Sequence, residues 1–199
     1  MFVVRPTKPV QSFMTLRRNY MFDLSGSFST ADVEALIHYK GVNRSQETIF
    51  VAHLITDVRG KAHPNSAYTA LSLDGRQLNL LLTPSPLPVL ADVAFCVLPL
   101  LKKVLPGEQI IGEVRLPVPA DEWNAYEPPV QGVEKKLVTV QRVVLTIEVI
   151  PQSMATKLTQ ATSPAGYWSV GGKSILSSVV LVPDSPFQVR KRLDLFART

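Results

Sequence analysis

In residues 110–116 and 143–149 an apolar or small side chain takes every second position, with a polar or spare residue between. Ile110, Gly112, Val114 and Leu116 share one face while Glu113 and Arg115 point the other way. Val143, Leu145, Ile147 and Val149 likewise line up opposite Thr146 and Glu148. A strand with one apolar face needs a second layer to cover it. The pattern therefore predicts an all-β, mainly antiparallel fold, an immunoglobulin-like β-sandwich of about seven strands, with at most one or two short helices.

Along the chain, a first strand is expected over residues 13–24, closed by Ser25-Gly26-Ser27. The next stretch carries two signals. Ser29 to Asp32 fits a capping box, Val33, Leu36 and Ile37 have helical spacing, and Gly41 is placed to end a helix. Yet Val33, Ala35, Ile37 and Tyr39 alternate with Glu34, Leu36, His38 and Lys40, and residues 43–47 are turn chemistry before the β-branched run 48–55, which favours a hairpin. Asp74-Gly75-Arg76 between residues 68–73 and 77–82 is the strongest short hairpin signal, because glycine supplies positive φ without steric cost.

Residues 93–98 read as a strand, since Pro99 would interrupt the competing helical spacing. Leu105-Pro106-Gly107-Glu108 is a tight turn into the strand 109–116, an irregular aromatic loop covers 121–132, and a long last core strand is expected near 138–150. From Pro151 the character changes. Residues 152–164, rich in Ser, Thr, Gln and Ala, read as a connector, followed by strands at Tyr167-Trp168 and 175–182. The expected organisation is a basic lead-in (1–12), a sandwich core (13–150) and a strand-bearing extension (151–199) that packs on the sandwich and ends in a basic tail.

Composition narrows this little. A chain of 199 residues is most simply one domain with an extension, and 46% hydrophobic with 19% charged residues is ordinary for a globular protein. Sixteen prolines favour many short β elements, because proline cannot donate to a ladder. The single cysteine, Cys96, lies in an apolar run and is expected to be a buried, inert thiol. With no signal peptide and no apolar stretch near the ~20 residues a membrane span requires, a soluble, cytoplasmic protein is expected. The net charge of +5 belongs to the ends: residues 1–22 hold four cations and no acid, and residues 186–199 four cations against one acid. Solvated tails are the expectation, so nucleic acid is an unexpected partner except through those termini.

The chemical inventory is thin. Gly172-Lys173-Ser174 resembles the end of a phosphate-binding loop, but Tyr167 stands where its first glycine belongs and no strand leads in. His38, His53 and His63 lack paired ligand spacing, and Asp121-Glu122 are adjacent instead of separated as an acid and a base. No catalytic residue, metal site or cofactor is predicted. The best surface candidates are Trp123 and Tyr126 with Glu122 beside them, flat rings with hydrogen-bonding neighbours in a loop, against the alternative that both rings cap the core. Leu193, Asp194, Leu195 and Phe196 resemble the pentapeptide by which bacterial DNA replication and repair proteins dock on the sliding clamp, with Arg192 where that family has glutamine. The resulting expectation is a non-enzymatic protein-interaction or structural module, able to oligomerise through sheet edges. A small-ligand binder or enzyme with a site assembled from distant strands, and a clamp-docking accessory protein, are the alternatives.

Overall fold

The computed structural model describes residues 21–87, 95–126 and 135–192. Fifteen strands run through them: β1 (Phe22–Thr30), β2 (Glu34–Asn43), β3 (Ile49–Thr56), β4 (Ala62–His63), β5 (Tyr68–Leu71), β6 (Gln77–Leu82), β7 (Leu100–Val104), β8 (Gln109–Pro117), β9 (Ala120–Asp121), β10 (Lys135–Val140), β11 (Arg142–Pro151), β12 (Ala155–Gln160), β13 (Trp168–Gly172), β14 (Ile175–Leu181) and β15 (Phe187–Arg192). The one helical turn among the described residues is a 3₁₀ turn, Gln152–Met154. The protein is thus nearly all β, in several mostly antiparallel sheets, and among the described residues before 152 there are eleven strands where about seven were expected.

β11 organises the largest sheet. Its Val143–Val149 stretch pairs antiparallel with β14 on one edge; on the other it pairs parallel with β6 through Arg142–Ile147 and then antiparallel with β3 through Val149–Pro151. The sheet runs β12-β13-β7-β3-β11-β6-β5, with β14 and β4 off that path. β3 is an apolar run buried at every position except half-buried His53, which is how a strand covered on both faces is written. The alternation in β11 places Val143, Leu145, Ile147 and Val149 fully inside.

A second sheet, β1-β2-β8, lies over the first: Tyr39 of β2 reaches His53 of β3, and Gly26 of β1 approaches Leu181 and Val179 of β14. Ile110, Val114 and Leu116 of β8 fill the same core as the buried face of β11. The third sheet, β10-β15-β9, joins that core through Phe187 and Val189, with Phe187 edge-on to Phe28 at 5.3 Å.

Several expectations need correction. β1 extends through Ser25-Gly26-Ser27, which is strand interior and not a turn, because the full register with β2 supplies the hydrogen bonds that small polar residues would otherwise seek locally. Residues 13–20 lie outside the described residues. Strands do form on either side of residues 43–47, but β2 and β3 belong to different sheets, so that turn is a crossing between layers. The hairpin of β2 is made instead with β1, around Ala31–Val33. Residues 95–98 form no strand; Val97 turns inward while Cys96 is exposed, so the thiol is not buried. The long strand at 138–150 breaks at Gln141, whose N–H donates to the Arg76 carbonyl, and its first half belongs to another sheet. The expected connector contains β12, and the basic cluster begins inside β15. The Asp-Gly hairpin between β5 and β6 and the Leu105–Glu108 turn form as the sequence predicts, with φ of +69° at Gly75 and +77° at Gly107.

Candidate functional site

The segment after β9 is stitched to the largest sheet through its backbone. Thr69 and Trp123 exchange a pair of backbone hydrogen bonds, Thr69 N–H to the Trp123 carbonyl at 2.9 Å and Trp123 N–H to the Thr69 carbonyl at 3.0 Å. The Thr69 hydroxyl donates to the Asp121 carbonyl at 2.6 Å, and the Leu71 N–H donates to Glu122 Oε1 at 2.9 Å. Glu122 therefore serves as an acceptor for a strand-end donor. The Tyr126 hydroxyl accepts from Val97 N–H at 2.7 Å and donates to the Phe95 carbonyl at 3.1 Å, so its polar end ties down the 95–97 loop while its ring packs on the core.

Trp123 is held differently. Its ring is flanked by His63 at 5.4 Å and Tyr68 at 5.3 Å, and it lines two clefts. The larger, about 400 Å³, has buried Ala67 and Leu116 beside Arg115, Asp121 and His63. The smaller, about 270 Å³, carries Glu122, Asn124, Ser72 and Lys191. A ring fixed by backbone pairing and flanking rings, with open space beside it, is a rigid anchor that costs little entropy to use.

His63 is oriented by Asp57, Nε2 to Oδ2 at 3.3 Å. The Asp57 carboxylate also accepts from the backbone N–H groups of Arg59 and Lys61 at 2.9 and 3.0 Å. These donors, Lys61 first, hold its carboxyl below the usual range. The turn depends on Gly60 at a φ of +75°. His63 and Asp57 are six residues apart, and the Asp-x-x-Gly spacing was the available sign that the loop folds back. Arg115, from β8, had none.

The three histidines do not gather. His38 faces Glu113 at 4.0 Å, His53 bonds Tyr39, and His63 bonds Asp57. Among the described residues no three His, Cys, Asp or Glu side chains come together in a way that could hold a metal. Lys173 of the Gly-Lys-Ser stretch donates its N–H to the Met154 carbonyl, and Ser174 bonds the buried Glu148, whose carboxyl is pushed up by burial. Leu193, Asp194, Leu195 and Phe196 lie outside the described residues.

His53 makes a testable structural link. Its Nδ1 meets the buried Tyr39 hydroxyl at 2.8 Å between two sheets, and its ring stacks on Tyr167 at 5.9 Å. Burial, and then Lys102, lower its pKa from 6.5 to about 4. A base whose folded pKa is depressed binds its proton first in the unfolded chain, so stability is lost as pH falls from 6.5 toward 4 and levels off below. The expected contribution is about 2–3 kcal/mol. Urea midpoints across that range should fall less steeply in His53→Phe than in the natural protein; parallel curves would contradict the assignment.

Set against known proteins, the chain matches no family model, no curated protein and no solved structure.

Proposed function

We propose that the protein is a non-enzymatic recognition module, built on an immunoglobulin-like β-sandwich, that takes a partner protein at the clefts on either side of Trp123. The observation that carries this reading is the fixed Trp123 ring with open space beside it and polar groups around it. Immobilised aromatic anchors beside arginine are typical centres of binding energy. What supports the sandwich is the shared core of β8 and β11, whose alternating faces meet inside. A cytoplasmic setting belongs to the same proposal; among the described residues no helix is long and apolar enough to cross a membrane.

The test is affinity measurement on partners captured from the source cells. Ser66→Arg fills the larger cleft from its half-buried wall without removing core packing, and Trp123→Ala removes the anchor. Both should weaken the specific partner by roughly 30-fold or more, the effect of losing a ~2 kcal/mol hot spot. A partner bound equally well by both variants would overturn the reading. Truncation at Pro183 is a poor substitute, since it removes β15 and the buried Phe187 and Val189.

One observation favours a small-ligand reading second: His63 lines the larger cleft within hydrogen-bond reach of Asp57, so one polar group there is already oriented. Saturable binding of a small polar molecule that is lost in His63→Ala would promote it.

A further inference from the structure

We propose that the outer edge of β10 is a docking site for an extended acidic segment of a partner protein, which adds to the sheet as a further strand. The third sheet has the order β10-β15-β9, so β10 is paired on one side by β15, and among the described residues no strand takes its other edge. Its unpaired backbone groups are a ready template for an incoming strand.

Charge selects what that strand carries. The antiparallel register sets Lys135 opposite Arg192, Lys136 opposite Lys191, and Leu137 opposite Arg190. Lys136 and Lys191 thus stand cation against cation with Lys135 and Arg190 beside them, an arrangement that is unfavourable when left unanswered. Asp121 answers part of it, bonding Lys135 at 2.7 Å and Arg190 at 3.3 Å. Among the described residues neither Lys136 nor Lys191 has an ion-pair partner.

Val140 and Val189 are buried, so Lys135, Leu137 and Thr139 form the solvent face of β10, with Leu137 52% exposed. A complementary strand places acids opposite Lys135 and Lys136 and an apolar residue opposite Leu137. The sequence hid this surface because its two halves are some fifty residues apart. Only the register joins the internal Lys-Lys pair to the cluster near the C-terminus.

A protein strand fits better than a nucleic acid or a lipid surface. Backbone amides complete an open ladder, which phosphates do not, and Phe187, the aromatic residue of these two strands, is buried and offers no stacking face. Leu137 is a single apolar contact, which is little for membrane binding. Lys191 and Asp121 border the Trp123 clefts, but no residue of β10 lines either of them, so Lys136→Glu and Trp123→Ala test the two proposals separately.

The experiment uses the full chain and a labelled synthetic peptide of about ten residues in which two adjacent acids are flanked by Val and Thr. Its counterpart has Lys in place of each acid. A DNA duplex and phosphatidylserine vesicles are the remaining probes. Expected results are saturable binding of the acidic peptide, slowed amide exchange in Lys135–Val140, weakening by salt, and roughly tenfold weaker binding by Lys136→Glu. Lys136→Gln should fall between, and thermal unfolding of each variant confirms that the fold persists. Equal binding of the two peptides, binding without protection of β10, or tighter binding to DNA or vesicles that Lys136→Glu abolishes would each overturn the proposal. In any of those cases the lysines act as edge guards or as a site for another polyanion.

Discussion

Gly112→Ala is expected to cost about 3 kcal/mol, a large share of the roughly 5–15 kcal/mol that holds a domain together. Gly112 on β8 lies directly opposite Tyr39 on β2, and the phenol ring lies across the space a side chain would take. A Cβ there would collide with ring carbons and with the hydroxyl. Tyr39 is 2% exposed, so moving the ring disturbs buried packing. Its displacement also breaks the bond to His53 that links the two sheets. The same device recurs at Gly41, where the Phe22 ring lies over the backbone. Urea unfolding checks it: a midpoint shift worth less than about 0.5 kcal/mol, the size of an ordinary surface substitution, would mean the ring does not sit there.

Asn43→Ala should cost a similar amount for a different reason. Asn43 is fully buried at the end of β2, and its side-chain amide is saturated. Nδ2 donates to the carbonyls of Glu47 at 2.9 Å and Val104 at 3.1 Å, while Oδ1 accepts from Ser45 N–H at 3.0 Å and the Ser45 hydroxyl at 2.7 Å. Its backbone donates to Glu108 and accepts from Gly107. One residue thus ties the crossing from β2 to β3, the end of β7 and the turn before β8. Alanine leaves buried groups on several sides without partners, about 1–3 kcal/mol for each one that water cannot reach, so a net loss near 3 kcal/mol is expected. Equilibrium unfolding gives the number, and a near-neutral result would show that water replaces the amide.

These two residues show what was legible in the sequence and what was not. Alternation exposed β8 and β11 because each has one face against the core, and Asp-Gly exposed the β5–β6 hairpin because its turn conformation is a local requirement. Asn43 reads from sequence as ordinary turn chemistry. That its turn crosses between sheets depends on β7 and the 105–108 turn, which are about sixty residues away. Gly112 fits the alternation as a small residue, but nothing local says that an aromatic ring fills its place. β12 was missed because all but one of its six residues are exposed, leaving no apolar face to give a period, and only pairing with β13 makes it a strand.

The candidate site divides in the same way. Trp123 and Tyr126 were visible as large rings in a loop, and the structure gives the Tyr126 hydroxyl a bracing role while opening space beside Trp123. His63 and Asp57 come together through a short glycine turn. Arg115 and Thr69 reach the site only through the packing of separate sheets, a long-range outcome without a local signature.

A screen of small organic and short-peptide fragments, followed through backbone amide and indole resonances, most directly tests recognition at Trp123. Hits should converge on the Trp123 indole together with Ala67, Thr69 and Arg115, because a rigid aromatic wall beside an open cleft collects weak ligands wherever binding energy concentrates. Hits that gather elsewhere on the described surface while the Trp123 indole stays unmoved would contradict it.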